Sequence, residues 1–481
     1  MPCLSSWCPW IPLPRPSVQA QNGLRLFPVL ITSKNPAQGF AALGQAKTSS
    51  SAEIQAAVAR ARRAQGPWAA LPLAERIAAL RPLIALMEGE GEVLARAVSR
   101  EMGQTIRLSR AQVDLALENF AWKLDNAPAI LAPRETCPGT VVHRIPIGTG
   151  AAIFSWNFPL PNLRTALQAV IAGNTVVVKY SEEVPLFSAL LDDLVARAGV
   201  PEGVMGFVTG GADVGQALLE QEIDFVSFTG SADTGRAVYA RAAEKCIPAV
   251  LELGGSSPGL VFPDANLDAA LPQLLEQRFS NAGQFCSALK RLLVHTDSFE
   301  EVLGRLTTAA RAMTLGDPLK EDTDMGPLVA ARQLDLLEEQ VADALERGAV
   351  AVCGAMRPEG LHGAFFAPTI LKGVTRDMRV WREEVFGPVL PVVPFETYAE
   401  AIEMANDTLY GLTALVYTGD AALAARAARD IRAGVVSVNG ASFRDPANPF
   451  GGVKGSGLGR ENGVEGFYDV TQAKLIAGSG A

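Results

Sequence analysis

The sequence predicts an α/β protein built around doubly wound parallel sheets, on three observations. Between Gly150 and Leu251 short apolar runs alternate with helical patterns, as where crossover helices cover both faces of a parallel sheet. A second block of the same alternation follows Gly255. The chain has 481 residues, 48% hydrophobic and 19% charged. That is material for about three packed units and too much for one small binding module or a disordered chain.

Residues 1–34 carry no periodicity and several prolines, and are expected to form an irregular arm. At Ser50 a serine precedes Glu53 by three residues, a capping box ahead of the apolar-periodic AEIQAAVARARRA, which predicts a helix. A second helical region is expected over about 73–102, broken or kinked near Pro82 and stopped at Gly103. A third, about 108–124, leads into a proline-containing stretch. Strands are expected at 150–156, 174–179, 203–208, 224–229 and 248–253, with helical segments such as TALQAVIA and PLFSALLDDLVARAG between them. The second block offers a helix near 267–280, a strand at 291–295 and a helix near 298–313, then the helical patterns FETYAEAIEMAND and AALAARAARDIRAG. Residues 448–463 are glycine-rich and form a loop, either shaped or merely flexible.

Charge and composition narrow the function. Lysine plus arginine total 42 and aspartate plus glutamate 51, a formal charge of −9, so binding to a phosphate backbone is not the main activity and no nucleic-acid partner is expected. The 19 uncharged residues between Arg144 and Arg164 hold three prolines and two glycines and would span a bilayer poorly, so no membrane is expected either. Near the start, Arg15 follows the uncharged run instead of preceding it, the reverse of a secretory signal. Six scattered cysteines without a CxxC pair, and only three histidines, predict neither a disulfide framework nor a zinc site. The expectation is a reduced, cytoplasmic protein with no metal.

Chemistry concentrates at strand ends. Phe228–Gly235, FTGSADTG, is a small-residue turn into a helix, where N–H groups and the helix dipole can face a pyrophosphate; alone it is equally an ordinary turn. Lys179 and Glu182 follow another strand and could bind ribose hydroxyls, or simply pair in solvent. Cys286, in the turn NAGQFCSALKR, could be a nucleophile or a buried thiol. Glu252 and Asn157 end two further strands, so an acid/base, an amide donor and a thiol share one sheet edge, a set suited to acyl transfer.

SWNFPLP, GNTVVVKYSEE, FTGSADTG, LELGGSSP, NAGQFCSALKR, REEVFGPVLP and NPFGGVKGSGLGRENG stand in the order and approximate spacing of the aldehyde dehydrogenase superfamily, which the chain resembles over about residues 35–478. The 34 residues from Glu252 to Cys286 resemble that family's base-to-nucleophile interval. The resemblance implies a Rossmann-like cofactor domain (35–123 and 146–254), an α/β catalytic domain (255–454) and oligomerisation strands (124–145 and 465–478) that build a homodimer or homotetramer. It implies Cys286 as the nucleophile, Glu252 as the base that activates water, and Asn157 as the oxyanion donor. For the cofactor it implies Trp156, Lys179, Glu182, Gly230, Ser231, Leu253, Glu384 and Phe386. Glu182 would favour NAD over NADP by repelling a 2′-phosphate, with NADP still usable.

Departures from the family pattern are Ser155 and Tyr180, each in place of a usual proline, and Ser287 after the cysteine. Tyr180 is expected to alter the adenine edge. The substrate, a small aldehyde, is expected to meet Phe158, Arg164, Arg444 and Phe450. Thr165 and Ser280, where relatives acting on apolar aldehydes carry aromatics, are expected to make the tunnel more polar. The likeness is greatest to the succinate-semialdehyde dehydrogenase-like branch, whose arginines hold a distal carboxylate; here Arg444 is a replacement candidate. Two other readings are a CoA-acylating semialdehyde dehydrogenase, against which Glu252 argues, and a non-catalytic protein retaining the fold, against which the intact Cys286, Glu252 and Asn157 set argues.

Overall fold

The computed structural model describes residues 30–478; most of the expected irregular arm, with Cys3 and Cys8, lies outside them. Its last residues, 30–34, are ordered strand. Leu30–Asn35 pairs antiparallel with Ala41–Lys47, and Ser33 donates its hydroxyl to the buried Glu101 carboxylate at 2.6 Å. Six residues are too few for a readable period, so pairing with a distant partner made this strand.

The capping box forms as expected. The Glu53 N–H donates to Ser50 Oγ at 3.3 Å, and the Ser50 N–H to Glu53 Oε2 at 2.7 Å, opening a helix over Ser51–Ala70. The next region is two helices, Leu73–Gly89 and Gly91–Met102, and the break falls at the two glycines instead of at Pro82. Pro82 sits between Leu80 and Leu83, which with Met87 are fully buried. Their packing outweighs the roughly 3 kcal/mol that an interior proline costs. Gly103 closes the second helix at φ +85°.

The helix expected to end near residue 124 runs over Ile106–Ile130, because its apolar stripe of Phe120, Leu124 and Ala127 stays buried to the end. The strands expected over 124–145 are therefore only Arg134–Cys137 and Thr140–Pro146. Likewise 465–478 opens inside the helix Gly463–Asp469 before the strand Thr471–Ala477, which pairs antiparallel with Thr140–Pro146.

All five expected strands of the first block lie in one six-stranded sheet. Its order is Gly457–Leu458, Ala249–Glu252, Phe225–Thr229, Thr149–Phe154, Thr175–Tyr180, Met205–Val208, and every pairing but the first is parallel. A seven-stranded sheet spans Ser257 to Val438, with Leu289–His295, Ser257–Val261 and Thr413–Tyr417 side by side. Each sheet has its own packed core, Val176, Val178 and Phe187 in the first and Leu260, Leu292 and Val392 in the second. Residues 457–458, from the glycine-rich loop, cross back to the first sheet beside Glu252. Among the described residues, no helix is long and apolar enough to cross a membrane, and no three His, Cys, Asp or Glu side chains are grouped to hold a metal.

Candidate active site

Parallel strands put their carboxyl ends on one edge, so Asn157, Glu182, Ser231 and Glu252 emerge there together. The turn bearing Cys286 approaches the same edge from the second sheet. Between them lies a cavity of about 630 Å³ whose walls include Trp156, Asn157, Glu252, Cys286, Glu384 and Phe450.

The cysteine turn is strained and tightly held. Asn281, Ala282 and Gly283 adopt φ of 52°, 51° and 71° in succession, left-handed values that cost energy for the first two. Hydrogen bonds compensate. Asn281 Nδ2 donates to Asn157 O at 3.3 Å, and Gln284 Nε2 donates to Asn281 O at 3.1 Å and Pro327 O at 3.2 Å. The Val329 N–H donates to Gln284 Oε1 at 2.9 Å. Strain of this kind, over-determined by its surroundings, fixes a reactive group in place.

Asn157 is oriented from both ends of its amide. Its Oδ1 accepts from Ser155 Oγ at 2.8 Å, and its Nδ2 donates to Gln284 O at 3.2 Å, leaving one amide proton for another acceptor. Ser155, a departure from the family pattern, thus sets which amide atom faces the cysteine turn.

Glu252 is 3% exposed, and neither carboxylate oxygen has a hydrogen-bond partner among the described residues. Burial, then the Glu461 carboxylate, push its pKa well above the ordinary carboxylate range, against Arg164 and Arg460. A buried carboxyl without partners adds nothing to the fold, and suits a group that exchanges protons. The Cys286 thiol is pushed up to about 12, first by burial and then by Glu252, with Lys290 acting the other way. At neutral pH it is a thiol that must lose a proton before it can attack.

On the cofactor side, Trp156 and Phe386 meet edge to face at 5.6 Å. Glu384 Oε1 accepts from the Gly255 N–H at 3.0 Å and from Lys290 Nζ at 2.5 Å. Its other oxygen occupies the space a Cβ on Gly254 would take, 2.2 Å away. Ser231 caps the helix Ala232–Glu244, with Gly230 before it. Leu253 is buried and follows Glu252 at the cavity wall. Lys179 and Glu182 stand two strands further along the edge, 3.7 Å apart, and are not part of the cavity wall. A helix N-terminus, a glycine cradle under Glu384 and the Lys179–Glu182 pair along one edge fit a nicotinamide dinucleotide. Tyr180, expected to alter the adenine edge, does not line the cavity. It is buried against Phe154 and Phe187, and its hydroxyl donates to Pro159 O at 2.8 Å, because a side chain there points into the helix-covered face.

On the substrate side, Phe158 and Phe450 line the cavity. Arg164 does too, but its Nε donates to Glu461 Oε2 at 2.6 Å, so its charge is already matched. Thr165 Oγ1 donates to the same carboxylate at 2.5 Å. Neither Thr165 nor Ser280 lines the cavity, so they do not make it more polar. Arg444 is exposed at the mouth and has no carboxylate partner among the described residues. The sequence reading missed Glu461, Lys290 and the Asn281–Gln284 clamp. The available signals were an acidic residue in a glycine loop and a lysine among apolar strand residues.

A model described as the aldehyde dehydrogenase family matches residues 29–476. The chain belongs to that family. It is 36% identical to glutarate-semialdehyde dehydrogenase of Pseudomonas aeruginosa, over 95% of each chain. It is 37% identical to an NADP-dependent succinate-semialdehyde dehydrogenase of Escherichia coli, over 92% of this chain and 93% of the other. Aldehyde dehydrogenase C of Pseudomonas syringae, solved as a mutant with NAD+ and octanal, superposes with a TM-score of 0.91 at 38% identity, covering 94% of each chain. This aldehyde dehydrogenase is thus an oxidoreductase that oxidises an aldehyde to the acid with NAD or NADP as acceptor.

Proposed function

We propose that the enzyme acts on semialdehydes carrying a distal carboxylate, prefers NAD, and uses Cys286, Glu252 and Asn157 for the chemistry. The observation that carries the reading is the shared cavity, in which the strained cysteine turn faces an unpartnered buried carboxyl while an unmatched arginine, Arg444, stands at the mouth. Cys286 Sγ attacks the carbonyl carbon as its proton leaves, and the oxygen becomes an oxyanion that accepts from Asn157 Nδ2 and the Cys286 N–H. NAD(P), held by Trp156, Ser231, Glu384 and Phe386, would supply the hydride acceptor, and with the hydride gone the acyl group is left on Cys286 as a thioester. Glu252 in its ionised form then takes a proton from water, the water oxygen attacks the thioester carbon, and Cys286 departs as the acid forms.

The semialdehyde reading is supported by the succinate- and glutarate-semialdehyde relatives and by Arg444, whereas octanal with the P. syringae relative points to apolar chains. Following NADH with succinate and glutarate semialdehydes against octanal decides between them. Arg444→Ala should lower kcat/KM for the semialdehydes about tenfold, the worth of one charge-assisted hydrogen bond, and leave octanal unchanged. Equal losses on both, or a wild-type preference for octanal, would overturn the proposal.

Cofactor preference rests on Glu182. A carboxylate that accepts from two ribose hydroxyls repels a 2′-phosphate by on the order of 1–3 kcal/mol at a partly solvated site, roughly tenfold to a hundredfold in kcat/KM. Lys179, 3.7 Å from it, softens that repulsion, so the preference is incomplete. Glu182→Ser should narrow or reverse the NAD to NADP ratio of kcat/KM; an unchanged ratio would move selectivity elsewhere.

The six-stranded sheet serves as the cofactor domain, and the seven-stranded sheet as the catalytic domain. The strand Thr471–Ala477 exposes Leu475 and Ile476, supporting its use between subunits of a dimer or tetramer. A gel-filtration mass near one 50.8 kDa chain would contradict it. Free Cys137, Cys246, Cys286 and Cys353 support a reducing, cytoplasmic setting, which localisation by fractionation would test.

A further inference from the structure

Lys290 is 1% exposed, on the strand Leu289–His295 four residues after Cys286. Its ammonium has three protons and three acceptors. Nζ donates to Gly255 O at 2.9 Å, to Cys286 O at 3.4 Å and to Glu384 Oε1 at 2.5 Å. The first acceptor lies just past the strand that ends in Glu252, the second belongs to the nucleophile, and the third is the carboxylate over the Gly254 cradle. The same ammonium stands 5.1 Å from the Phe386 ring centroid. A buried ammonium is costly unless fully paired, and among the described residues this one is paired only to segments that line the candidate site.

We propose that Lys290 is a positioning residue that locks the cysteine turn, the Gly254–Gly255 turn and the Glu384 carboxylate together, and so serves thiol activation and cofactor binding at once. The reading of Cys286 and Glu384 above is its premise. Holding one Glu384 oxygen leaves the other over Gly254, a residue that with Glu384 lines the cavity wall.

Four charged groups act on Cys286. These are Glu252 at the end of its strand, Glu384 after the helix Arg379–Arg382, Arg164 on the helix Pro159–Ile171, and Lys290 itself. Glu252 and Glu384 hold the proton on sulfur, while Lys290 and Arg164 favour its loss, and Lys290 outweighs its own partner Glu384. Arg164 is already committed to Glu461.

Two substitutions therefore have opposite effects on the thiol and the same effect on the cofactor, a pattern that simple loss of structure does not produce. The rate of Cys286 alkylation by iodoacetamide is measured against pH on the full chain without cofactor, following the Cys286 peptide by mass because Cys137 and Cys246 are exposed and react as well. Lys290→Met should raise the midpoint by about one pH unit, a tenfold slower reaction below it, and Glu384→Gln should lower it. Each should weaken NAD binding, read by fluorescence quenching, about tenfold, and the double variant should be no weaker than the worse single one. If Lys290→Met fails to fold, Lys290→Arg must keep the wild-type midpoint while Glu384→Gln still lowers it. Unmoved midpoints, or shifts of the same sign, would overturn the proposal. A wild-type protein that alkylates as described but makes no NADH from any aldehyde would overturn the reaction reading and leave the thiol result standing.

Discussion

Cys286→Ala is expected to lower NADH production by on the order of 10⁴-fold or more, with NAD binding retained. The sulfur is the strongest nucleophile lining the cavity, and no other described cysteine lines it. Asn157 and the strained Asn281–Gly283 segment are held by backbone and amide hydrogen bonds that do not involve the sulfur, so the oxyanion donors stay in position. Rapid-quench and steady-state NADH assays, with NAD affinity measured beside them, read both halves of the expectation. Residual turnover within a hundredfold of wild type would exclude Cys286 as nucleophile.

Glu252→Gln should separate the two half-reactions. It spares the sulfur and the oxyanion donors but removes the base for thioester hydrolysis, a loss of roughly 10²–10⁴-fold in the steady state. The expected trace is a burst of NADH near one equivalent per active site, followed by slow turnover. Removing the carboxylate also removes the second-largest influence holding the proton on Cys286, so the burst should not be slower than in wild type. A missing burst would mean that Glu252 also takes the thiol proton.

The same substitution should raise stability. The Glu252 carboxyl is pushed up by burial, so between the unfolded and folded pKa the native state holds a proton that the unfolded chain has released. Stability is then lost as pH rises through that window, and glutamine removes the loss. The gain in Tm of Glu252→Gln over wild type should therefore be larger at pH 8 than at pH 5. An equal gain at both would show that Glu252 is ionised in the folded enzyme without cost.

Sequence legibility followed the range of the interaction involved. The helix at Ser51 was readable because its capping box closes within four residues, and the five strands of the first sheet because parallel strands buried on both faces are continuous apolar runs. The break at Gly89–Gly91 was misplaced to Pro82 because the burial of Leu80, Leu83 and Met87, which carries the helix through the proline, depends on what packs against it. Ordered motifs were enough to point to Cys286, Glu252 and Asn157, which the fold brings to one cavity, but the roles proposed for them come with the family resemblance and not from type or spacing alone.

Residue types, spacing and motif order by themselves determined the fold class and the family, and put forward Cys286, Glu252 and Asn157 as candidates for one site. Only the tertiary structure decided which charges meet. It matched Arg164 to Glu461 across 297 residues, tied Lys290 to Glu384 across 94, left Glu252 unpartnered, and turned Tyr180 into the core. Local signals are set by neighbours within a turn or two of chain. The charge state and partner of a buried group are set instead by every dipole and ion enclosed with it in the same low-dielectric volume, and that company is assembled only when the two sheets close on one another.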